Sequence, residues 1–349
     1  MSENKHLTPV FIVYVDGRRL DTEHEGALKT ITIADCLNGM SQFSLVFETG
    51  GTKIKEKELL ALESEVSIHL GYKDDVEEVF YGEITSFCGI FPENGPEQLE
   101  VCGNNVLHKL TRASHFRSYE KKKPSEIIKG MLESYSLKAE VDDFGIACDF
   151  QSEENRSDFD YLIETAGMYG KQVFADKSTV YVKDEITVRT DEVILEWGKS
   201  LIKLDSTQDI KELVSGVDFI GWDNQKNESF LGKGTLADIP VKVGGSNDWT
   251  KISKGGSGNC VSSNVDLNLH DSDEARQLAV GRLQSNSYSF NCANGKCEGN
   301  YKIRPGMRIN IKMVGEDFEG EYMADAVTHC FDRKSGYITE FALKRNMCG

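Results

Sequence analysis

The sequence predicts a mainly β protein with an inserted α/β segment. Apolar and polar residues alternate with a period of two through the first hundred residues and again after residue 187, as in strands with one buried face. Between residues 111 and 186 the apolar residues recur instead at helical spacing, and a short pair of strands follows them. This succession of patterns indicates β structure interrupted by a small α/β unit.

Residues 1–110 are expected to form the first β unit. The segment VFIVYVDGRRL places Phe11, Val13 and Val15 on one face and then turns at an Asp-Gly dipeptide, which is typical of tight hairpins. The runs ALKTITIADCL, SQFSLVFET, SEVSIHLGY, EEVFYGEITSFCGIF and QLEVCGNN continue the alternation. Six or seven short strands at such even spacing favour a closed antiparallel barrel.

Residues 111–186 are expected to form the α/β insertion, which begins with two helices. In KKPSEIIKGMLESYSL, Pro124 occupies a first helical turn, where a proline is tolerated. In NRSDFDYLIETAGMYG, Ser157 is a candidate N-cap, Phe159 and Leu162 lie on one face, and Gly167 or Gly170 can end the helix. The runs KQVFAD and STVYVKD then predict a pair of strands.

Residues 187–349 return to the β pattern in EVILEWG and LVSGVDFIGWD. The Gly-, Ser- and Asn-rich stretch 242–260 predicts a long loop or mobile surface. The segment SDEARQLAVGRLQSNSY predicts a helix over about 272–286, capped by Asp271 or Ser272. The runs MRINIKMV, GEYMADAVTHCF and GYITEFALKR are expected to close the chain as strands.

The charge balance argues against specific nucleic-acid binding. The chain has 40 basic and 57 acidic residues, a net charge of −17, whereas binding to phosphates needs basic surface. The one basic run, YEKKKPSE at 119–126, is interpreted as a solvated approach to a helix. No apolar run approaches the roughly 18 residues of a membrane span, and the N-terminus lacks the pattern of a secretory signal. We therefore expect neither membrane insertion nor export by that route.

The cysteines predict reduced thiols and no disulfide framework, because their number is odd and their spacing irregular. The best metal candidate is the pair Cys292 and Cys297, with His329 and Cys330 as further ligands. Structural zinc sites favour shorter gaps between paired cysteines, so tolerated cysteines are the favoured interpretation, and no cofactor is expected. The nine cysteines are at positions 36, 88, 102, 148, 260, 292, 297, 330 and 348.

Enzyme motifs are missing from the sequence. It contains no nucleotide-binding glycine loop, no G-x-S-x-G elbow and no H-E-x-x-H zinc motif. Two alternatives remain open: a cell-wall hydrolase that uses clustered acids, and a carbohydrate-binding component that uses Trp222 and Trp249 in turns. Paired carboxylates work as a glycosidase site only if one of them is raised in pKa, and acids crowded into one turn favour solvation instead. The crowded acids are Glu316, Asp317, Glu319 and Glu321.

Several segments, in a fixed order over almost the whole chain, carry a family resemblance. They are FYGEITSFCGIFPENGPEQLEVCGNNVLHKL, KPSEIIKGMLESYSL, NRSDFDYLIETAGMYGKQVFAD and DSDEARQLAVGRL, followed by CEGNYKIRPGMRINI and FEGEYMADAVTHCFDRKSGYITEFAL. In these segments the chain resembles the phage late control D and VgrG family of tail hub proteins. The matching structural positions are Gly82, Ser157, Asp158, Phe159, Leu162, Gly170, Gly299, Pro305, Gly306, Gly320, Tyr322 and His329.

The resemblance implies two hub β-barrels, at 1–110 and 187–349, on either side of the insertion at 111–186. It implies a non-enzymatic homotrimer whose six barrels form a pseudo-sixfold ring with an axial channel, joining a hexameric inner tube to a trimeric spike. The implied partners are the tube protein, other baseplate proteins and a spike on a separate chain or outside this sequence. Assembly in the bacterial cytoplasm and incorporation into a particle are expected. A phage tail, a bacteriocin, a secretion system and an extracellular injection particle all fit.

The resemblance also suggests a scaffold role for the closing stretch, 299–329. Two turns, Pro305-Gly306 and Glu319-Gly320, are expected to set strand register. His329 is expected to be a hydrogen-bonding residue at a barrel end. The side chains expected to alternate into the barrel core are Ile309, Ile311, Tyr322 and Val327.

Overall fold

A computed structural model shows a mainly β chain with five α-helices among the residues described. The helices are α1 (Thr22–Ala27), α2 (Pro124–Ser134), α3 (Asp158–Met168), α4 (Trp249–Ile252) and α5 (Ser272–Ser287). The structure describes residues 8–49, 60–73, 75–145, 148–186, 192–223, 226–253, 260–266 and 269–348.

The strands number twenty-one in the described part of the chain. The first half of the list is β1 (Pro9–Val15), β2 (Arg18–Arg19), β3 (Leu28–Cys36), β4 (Gln42–Glu48), β5 (Glu65–Tyr72), β6 (Asp75–Ile90), β7 (Gln98–Asn104), β8 (Ser114–Lys122), β9 (Lys138–Val141) and β10 (Cys148–Ser157). The second half is β11 (Gln172–Asp176), β12 (Thr179–Lys183), β13 (Val193–Glu196), β14 (Leu201–Gln208), β15 (Gly216–Asp223), β16 (Glu228–Thr235), β17 (Val261–Val265), β18 (Asn291–Glu298), β19 (Arg308–Lys312), β20 (Gly320–Asp332) and β21 (Gly336–Arg345).

One thirteen-stranded sheet runs through both ends of the chain in the order β14-β18-β21-β20-β3-β4-β7-β6-β5-β1-β2, with β19 and β13 branching from β20. Strand β20 joins the two halves of this sheet. It pairs with β21 along most of its length and with β3 on its other edge, where His329 lies opposite Ile33. Strands far apart in the sequence thus form one continuous surface.

Each half of the sheet curls around its own apolar core. Val13, Leu45 and Ile68 lie in the first core, and Leu195 and Leu343 lie in the second. Burial of such aliphatic side chains stabilises each half by roughly 1.5–3 kcal/mol per side chain.

The described residues form large antiparallel sheets, and no closed barrel of the expected kind is detected among them. No strand ladder there closes either half, and the β13 and β14 ends of the second half meet through one isolated bridge, between Trp197 and Leu201. Side chains cover the opening of the first half in place of ladder hydrogen bonds: the rings of Phe11 and Phe331 meet edge to face at 5.0 Å. Because β20 is shared between the halves, the strands form one continuous sheet.

A β-bulge in β20 directs its side chains into both cores. The pairing with β21 shifts between Ala324 and Ala326, so one extra residue is inserted into the strand. A regular strand would place Tyr322 and Val327 on opposite faces, but both lie in the second core beside Ile309. The prediction that these residues enter the core is confirmed, and the bulge is its structural cause.

The insertion contains both predicted helices, and their boundaries follow from local chemistry. Helix α2 has Pro124 at its first position, and helix α3 begins after Ser157, whose hydroxyl accepts from the Asp160 amide at 3.1 Å. Gly170 follows α3 with a φ of +70°, which a glycine adopts readily. Both helices pack on the three-stranded sheet β11-β12-β9.

The basic run at 119–126 corrects a second prediction. Instead of a solvated approach to a helix, its first four residues end strand β8, which forms an antiparallel ribbon with β10. The sequence of β8 does not show the apolar alternation of a strand, because its side chains are mostly charged or polar and only three positions are partly buried.

The described part of the stretch 242–260 is anchored rather than mobile. Asn247 and Cys348 exchange backbone hydrogen bonds, and the ring of Trp249 is buried in helix α4. The backbone partner, Cys348, lies about a hundred residues further along the chain. The composition of the stretch alone therefore could not show that it is held in place. Residues 254–259 of the predicted loop lie outside the described residues.

Helix α5 confirms the helix predicted over 272–286 and its Asp271 cap. It packs on the sheet β16-β15-β17, where Gly232 and Gly234 leave room for the helix backbone. On its other side α5 crosses the end of α3, where Gly281 faces Gly170.

The crossing of α3 and α5 leads to a stability prediction for Gly281→Ala. A Cβ at this position would lie 2.5 Å from the backbone carbon of Tyr169 and 2.6 Å from the carbonyl oxygen of Met168. Because these are backbone atoms, they cannot relieve the clash by a change of rotamer. We therefore expect the unfolding free energy to fall by about 1–3 kcal/mol, as measured by urea denaturation.

The matched control is Gly130→Ala in helix α2, where a Cβ would meet nothing within 4 Å. Alanine favours a helix over glycine by about 1 kcal/mol, so this variant should be at least as stable as the natural chain. Equal stability of the two variants would contradict the close helix crossing.

Candidate functional site

The resemblance positions of the closing region lie around two glycine turns. Gly306 has a φ of +84°, and its amide donates to the Ala324 carbonyl at 2.8 Å. A Cβ on Gly299 would lie 2.1 Å from the ring of Tyr337, so only glycine fits between the strand and that ring. Pro305 precedes Gly306 in the buried turn. These residues pack strand ends together.

His329 is fully buried between the strands and has hydrogen bonds at both ring nitrogens. Its Nε2 lies 3.1 Å from the Ile303 carbonyl oxygen, so this nitrogen carries the proton and donates. The Tyr337 hydroxyl donates to Nδ1 at 2.8 Å, and burial raises the pKa of Tyr337, which keeps that proton in place. Both nitrogens serve interior contacts, and this geometry favours a structural role over catalysis.

A buried arginine, Arg345, binds the backbone of the acid-rich turn between β19 and β20. Arg345 donates to the carbonyl oxygens of Asp317 at 2.7 Å and Glu319 at 2.6 Å, and its guanidinium lies 4.4 Å from the ring centroid of Tyr322. Burial lowers the pKa of Arg345. Gly320, with a φ of +116°, begins β20 beside this guanidinium. The arrangement orders the turn through its backbone and leaves the Glu316 and Asp317 side chains exposed.

Asp158 is a fully enclosed carboxylate of the insertion. It has no solvent exposure, and Arg117 donates to it at 2.7 Å while the Tyr135 hydroxyl donates at 2.7 Å. Paired and hydrogen-bonded in this way, a buried carboxylate ties β8, α2 and α3 together. Sequence reasoning placed Asp158 on a motif but could not supply the partners, which come from other elements.

The remaining resemblance positions are packing residues. Leu162 is fully buried and Phe159 packs against the same cluster. A Cβ on Gly82 would lie 2.3 Å from the Asn104 carbonyl oxygen, at the point where the long strand β6 passes from β5 to β7. Gly170 sits at the helix crossing described above.

The cysteine pair proposed as a metal candidate is divided between the faces of β18. Cys292 is exposed, whereas Cys297, five residues on, faces the second core. Burial raises the pKa of the Cys297 thiol to about 12, which disfavours the thiolate that zinc requires. Among the described residues, no group of three or more His, Cys, Asp or Glu side chains is placed to hold a metal ion.

The two tryptophans behind the carbohydrate-binding alternative do not lie in turns, which corrects that expectation. Trp222 lies within strand β15, and Trp249 opens helix α4 with its ring buried. Periodicity could have revealed Trp222, because it follows Ile220 on the outward face of the strand.

An exposed apolar surface lies at the β13 end of the large sheet. We define the β13 edge surface as Ile194, Trp197, Ile202 and Met313. Trp197 is 51% exposed and Met313 is 67% exposed. The two residues lie side by side, because the Trp197 amide donates to the carbonyl oxygen of Lys312, the neighbour of Met313, at 3.0 Å. In the described residues, β13 and β14 each have one edge without a ladder, and these edges are joined by the isolated bridge between Trp197 and Leu201. Exposed apolar side chains grouped in this way are typical of surfaces that another chain covers.

Sequence reasoning missed the β13 edge surface. Each of its residues occurs singly in a short run, and their proximity depends on the parallel pairing of β13 with β19.

None of the helices in the part of the chain that the structure describes combines the length and apolar character needed to span a bilayer.

Comparisons of the fold find tail proteins and a secretion-system component over nearly the whole chain. The 43 kDa tail protein of prophage MuSo2 from Shewanella oneidensis is similar with a TM-score of 0.68 and 12% identity, covering 97% of this chain and 99% of that chain. The tail protein from Neisseria meningitidis MC58 is similar with a TM-score of 0.68 and 13% identity, covering 97% of each chain. The E. coli c3393 protein, a component of the type VI secretion system, is similar with a TM-score of 0.62 and 11% identity, covering 95% of this chain and 76% of that chain.

Comparisons of the sequence find a protein family but no curated relative. No curated protein matches the chain. The family model described as the Alg8 N-terminal domain matches residues 5–332, which is most of the sequence. The chain therefore belongs to the Alg8 N-terminal domain family.

Proposed function

We propose that this chain is a structural hub of a contractile tail or contractile injection system, of the late control D and VgrG kind. The observation that carries the proposal is the two-way coverage of the fold: two tail proteins, one of them from a prophage, superpose over 97% of this chain and over 97% or more of their own length. The likeness to a type VI secretion component points in the same direction. The role includes no catalytic step.

The proposed assembly is a homotrimer forming a pseudo-sixfold ring. Each chain has two curled half-sheets that share β20, so three copies present six comparable units to a hexameric inner tube. The proposed units are 1–110 and 187–349, with the insertion at 111–186 between them. A ring of copies would also cover the β13 edge surface.

The proposed partners are the inner tube protein, a trimeric spike and other baseplate proteins. Assembly in the bacterial cytoplasm followed by incorporation into the particle completes the proposal. The net charge of −17 supports a channel that does not retain nucleic acid, since like charges repel passing DNA.

The test is the mass of the purified chain in solution, measured by light scattering. It is measured for the chain alone and for the chain mixed with a spike protein encoded beside it. Three copies of the 39.0-kDa chain give about 117 kDa. We expect this mass for the natural sequence and a shift towards the monomer for Trp197→Lys, because a lysine would place a charge in the β13 edge surface.

The matched control is Trp222→Lys, which changes another exposed tryptophan on a different sheet. We expect this variant to keep the trimer mass. A monomer for the natural chain in both conditions would refute the hub assembly, and equal behaviour of the two variants would remove the β13 edge surface from it.

A further inference from the structure

Three asparagines of the chain, Asn38, Asn94 and Asn294, are each followed by a glycine. In such a pair the glycine amide nitrogen can attack the side-chain carbonyl carbon of the asparagine, because glycine has no Cβ to shield the nitrogen and has a wide choice of backbone conformations. The attack needs an amide that is free of other partners and a backbone that can turn. The three pairs have the same two residues, so the fold decides which of them reacts.

Asn38 is held by hydrogen bonds on its side chain and on its backbone. Its Nδ2 donates to Gln172 Oε1 at 2.8 Å, and its Oδ1 accepts from the Val173 amide at 2.8 Å. Its own amide donates to the Val173 carbonyl oxygen at 2.8 Å. These bonds tie the turn after β3 to strand β11. An attack by the Gly39 amide would require the Asn38 side chain to leave both of its partners.

Asn294 is held by its strand. It lies in β18, which pairs with β14 on one edge and with β21 on the other, so that Gly295 lies opposite both Leu204 and Phe341. A backbone amide inside such a strand points into one of the two ladders, and the paired, extended backbone cannot make the rotation that the attack needs. The Asn294 side chain is nevertheless exposed, so exposure to solvent alone does not select the reactive site.

Asn94 lies in the turn between β6 and β7 and has neither restraint. Residues 91–97 are all exposed, and the ladder between the two strands ends at the pair of Ile90 and Gln98. Among the described residues, neither the Asn94 side chain nor the Gly95 amide has a hydrogen-bond partner. Gly95 has a φ of +124°, which glycine adopts without strain. Both the nucleophile and the backbone are therefore free to react.

We propose that Asn94 is a site of spontaneous deamidation, with water as the co-reactant. The Gly95 amide nitrogen forms a bond to Asn94 Cγ, the bond from Cγ to Nδ2 breaks, and Nδ2 leaves as ammonia with the proton of the Gly95 amide. Water then opens the cyclic succinimide at either of its carbonyl groups, which gives aspartate or isoaspartate at this position. The proposal goes beyond the hub role and does not depend on it.

The modification concentrates negative charge in one turn. Glu93 and Glu97 are exposed on either side of Asn94, so the product brings a third carboxylate into this short segment. It adds one negative charge to a chain whose net charge is −17. Changes to exposed residues outside the ladder have little effect on stability, so the acidic form should accumulate as folded protein.

The test is incubation of the purified full chain at mildly alkaline pH, where a glycine amide loses its proton more readily. Mass spectrometry of proteolytic peptides follows the three Asn-Gly pairs over time, and an isoaspartyl methyltransferase labels the isoaspartate product. We expect Asn94 to react at least about tenfold faster than Asn38 and Asn294, which corresponds to a local opening cost of about 1.4 kcal/mol or more at the two protected sites. An unmodified Asn94 peptide, or equal rates at the three sites, would overturn the proposal.

Incubation in urea separates the effect of the fold from that of the neighbouring residues. In the unfolded chain the amides that follow Asn38, Asn94 and Asn294 are all free, so the rates at the two protected sites should rise towards the rate at Asn94. Rates that keep their native differences in urea would show that the local sequence sets them, and would refute the assignment from the fold.

Two glutamine variants identify the source of the acidic species in ion-exchange chromatography. Asn94→Gln keeps the amide but adds a methylene group, which makes ring closure much slower, so we expect the acidic species to disappear. Asn294→Gln is the matched control at an exposed residue of a paired strand, and it should form the acidic species as the natural chain does. Persistence of the species in Asn94→Gln, or its loss in Asn294→Gln, would refute the assignment to Asn94.

Discussion

Replacement of Arg304 by methionine is expected to lower the unfolding free energy by about 3–5 kcal/mol, because it leaves a buried carboxylate without its cation. Arg304 Nη2 lies 3.0 Å from Asp35 Oδ2, and the Ser41 hydroxyl donates to Asp35 Oδ1 at 2.6 Å. Asp35 belongs to strand β3, and Arg304 to the turn before β19, so the pair ties the two half-sheets together. Urea denaturation measures the loss.

The pH dependence of this variant has a definite sign. Burial raises the pKa of the Asp35 carboxyl, and Arg304 offsets part of that rise. Without Arg304 the pKa of Asp35 in the folded state rises further. Protonated Asp35 then favours the folded state at low pH, and this contribution to stability is lost as the pH rises through the folded-state pKa. The deficit of Arg304→Met against the natural chain should therefore shrink as the pH falls towards about 4.

The control is the double variant with Asp35→Leu and Arg304→Met. An apolar pair of similar volume often replaces a buried ion pair without loss, so the double variant should recover at least about 2 kcal/mol of the deficit. A double variant as unstable as the single one would show that the cost comes from lost packing rather than from the unpaired charge.

Replacement of Tyr322 by alanine is the second change with a large expected effect. Tyr322 is fully buried in the second core, its hydroxyl donates to the Phe318 carbonyl at 2.9 Å, and the Arg345 guanidinium lies over its ring. Removing a buried aromatic ring costs about 3–5 kcal/mol, here with the added loss of the contact to the cation. Denaturation measures the cost, and amide hydrogen exchange over residues 315–319 should speed up as Arg345 loses its support.

Phenylalanine at position 322 is the matched control. Tyr322→Phe keeps the ring and the contact with Arg345 and loses only one hydrogen bond, so the expected cost is about 0.5–1.5 kcal/mol. Slow exchange in the acidic turn should persist in this variant. Similar losses for the two replacements would contradict the account of the ring as the support of Arg345.

Local chemistry made several elements predictable from the sequence. The dipeptide Asp16-Gly17 adopts φ values of +47° and +73°, as its use in tight hairpins requires. Pro124 begins α2, and Ser157 caps α3, because both preferences depend on the residue and its nearest neighbours alone. The predicted strands at the end of the chain were likewise found as β19, β20 and β21.

Elements that depend on distant partners were missed or misplaced. Strand β14 carries Lys203 and Asp205 and lacks a clean alternation, yet it pairs with β18 through most of its length. The β8–β10 ribbon was missed because its two strands are separated by α2 and β9. The closed barrels are not detected among the described residues, because spacing predicts the number of strands but not whether the first and last of them form a ladder.

The candidate sites show the same division. Motif order supplied the positions of Asp158 and His329, while their hydrogen-bond partners lie on other elements of the fold. The β13 edge surface had no signal in the sequence, because it brings together residues that are apolar for unrelated local reasons.

By itself, the sequence determined the mainly β class, the α/β insertion, the capped helices and the tight turns, because these depend on periodicity and on the conformational preferences of neighbouring residues. Only the tertiary structure decided the single shared sheet, the bulge that points Tyr322 and Val327 the same way, and the ion pair between Asp35 and Arg304. The physical reason is that pairing and burial are properties of two distant segments at once, and the free energy of each contact exists only after the chain has brought them together.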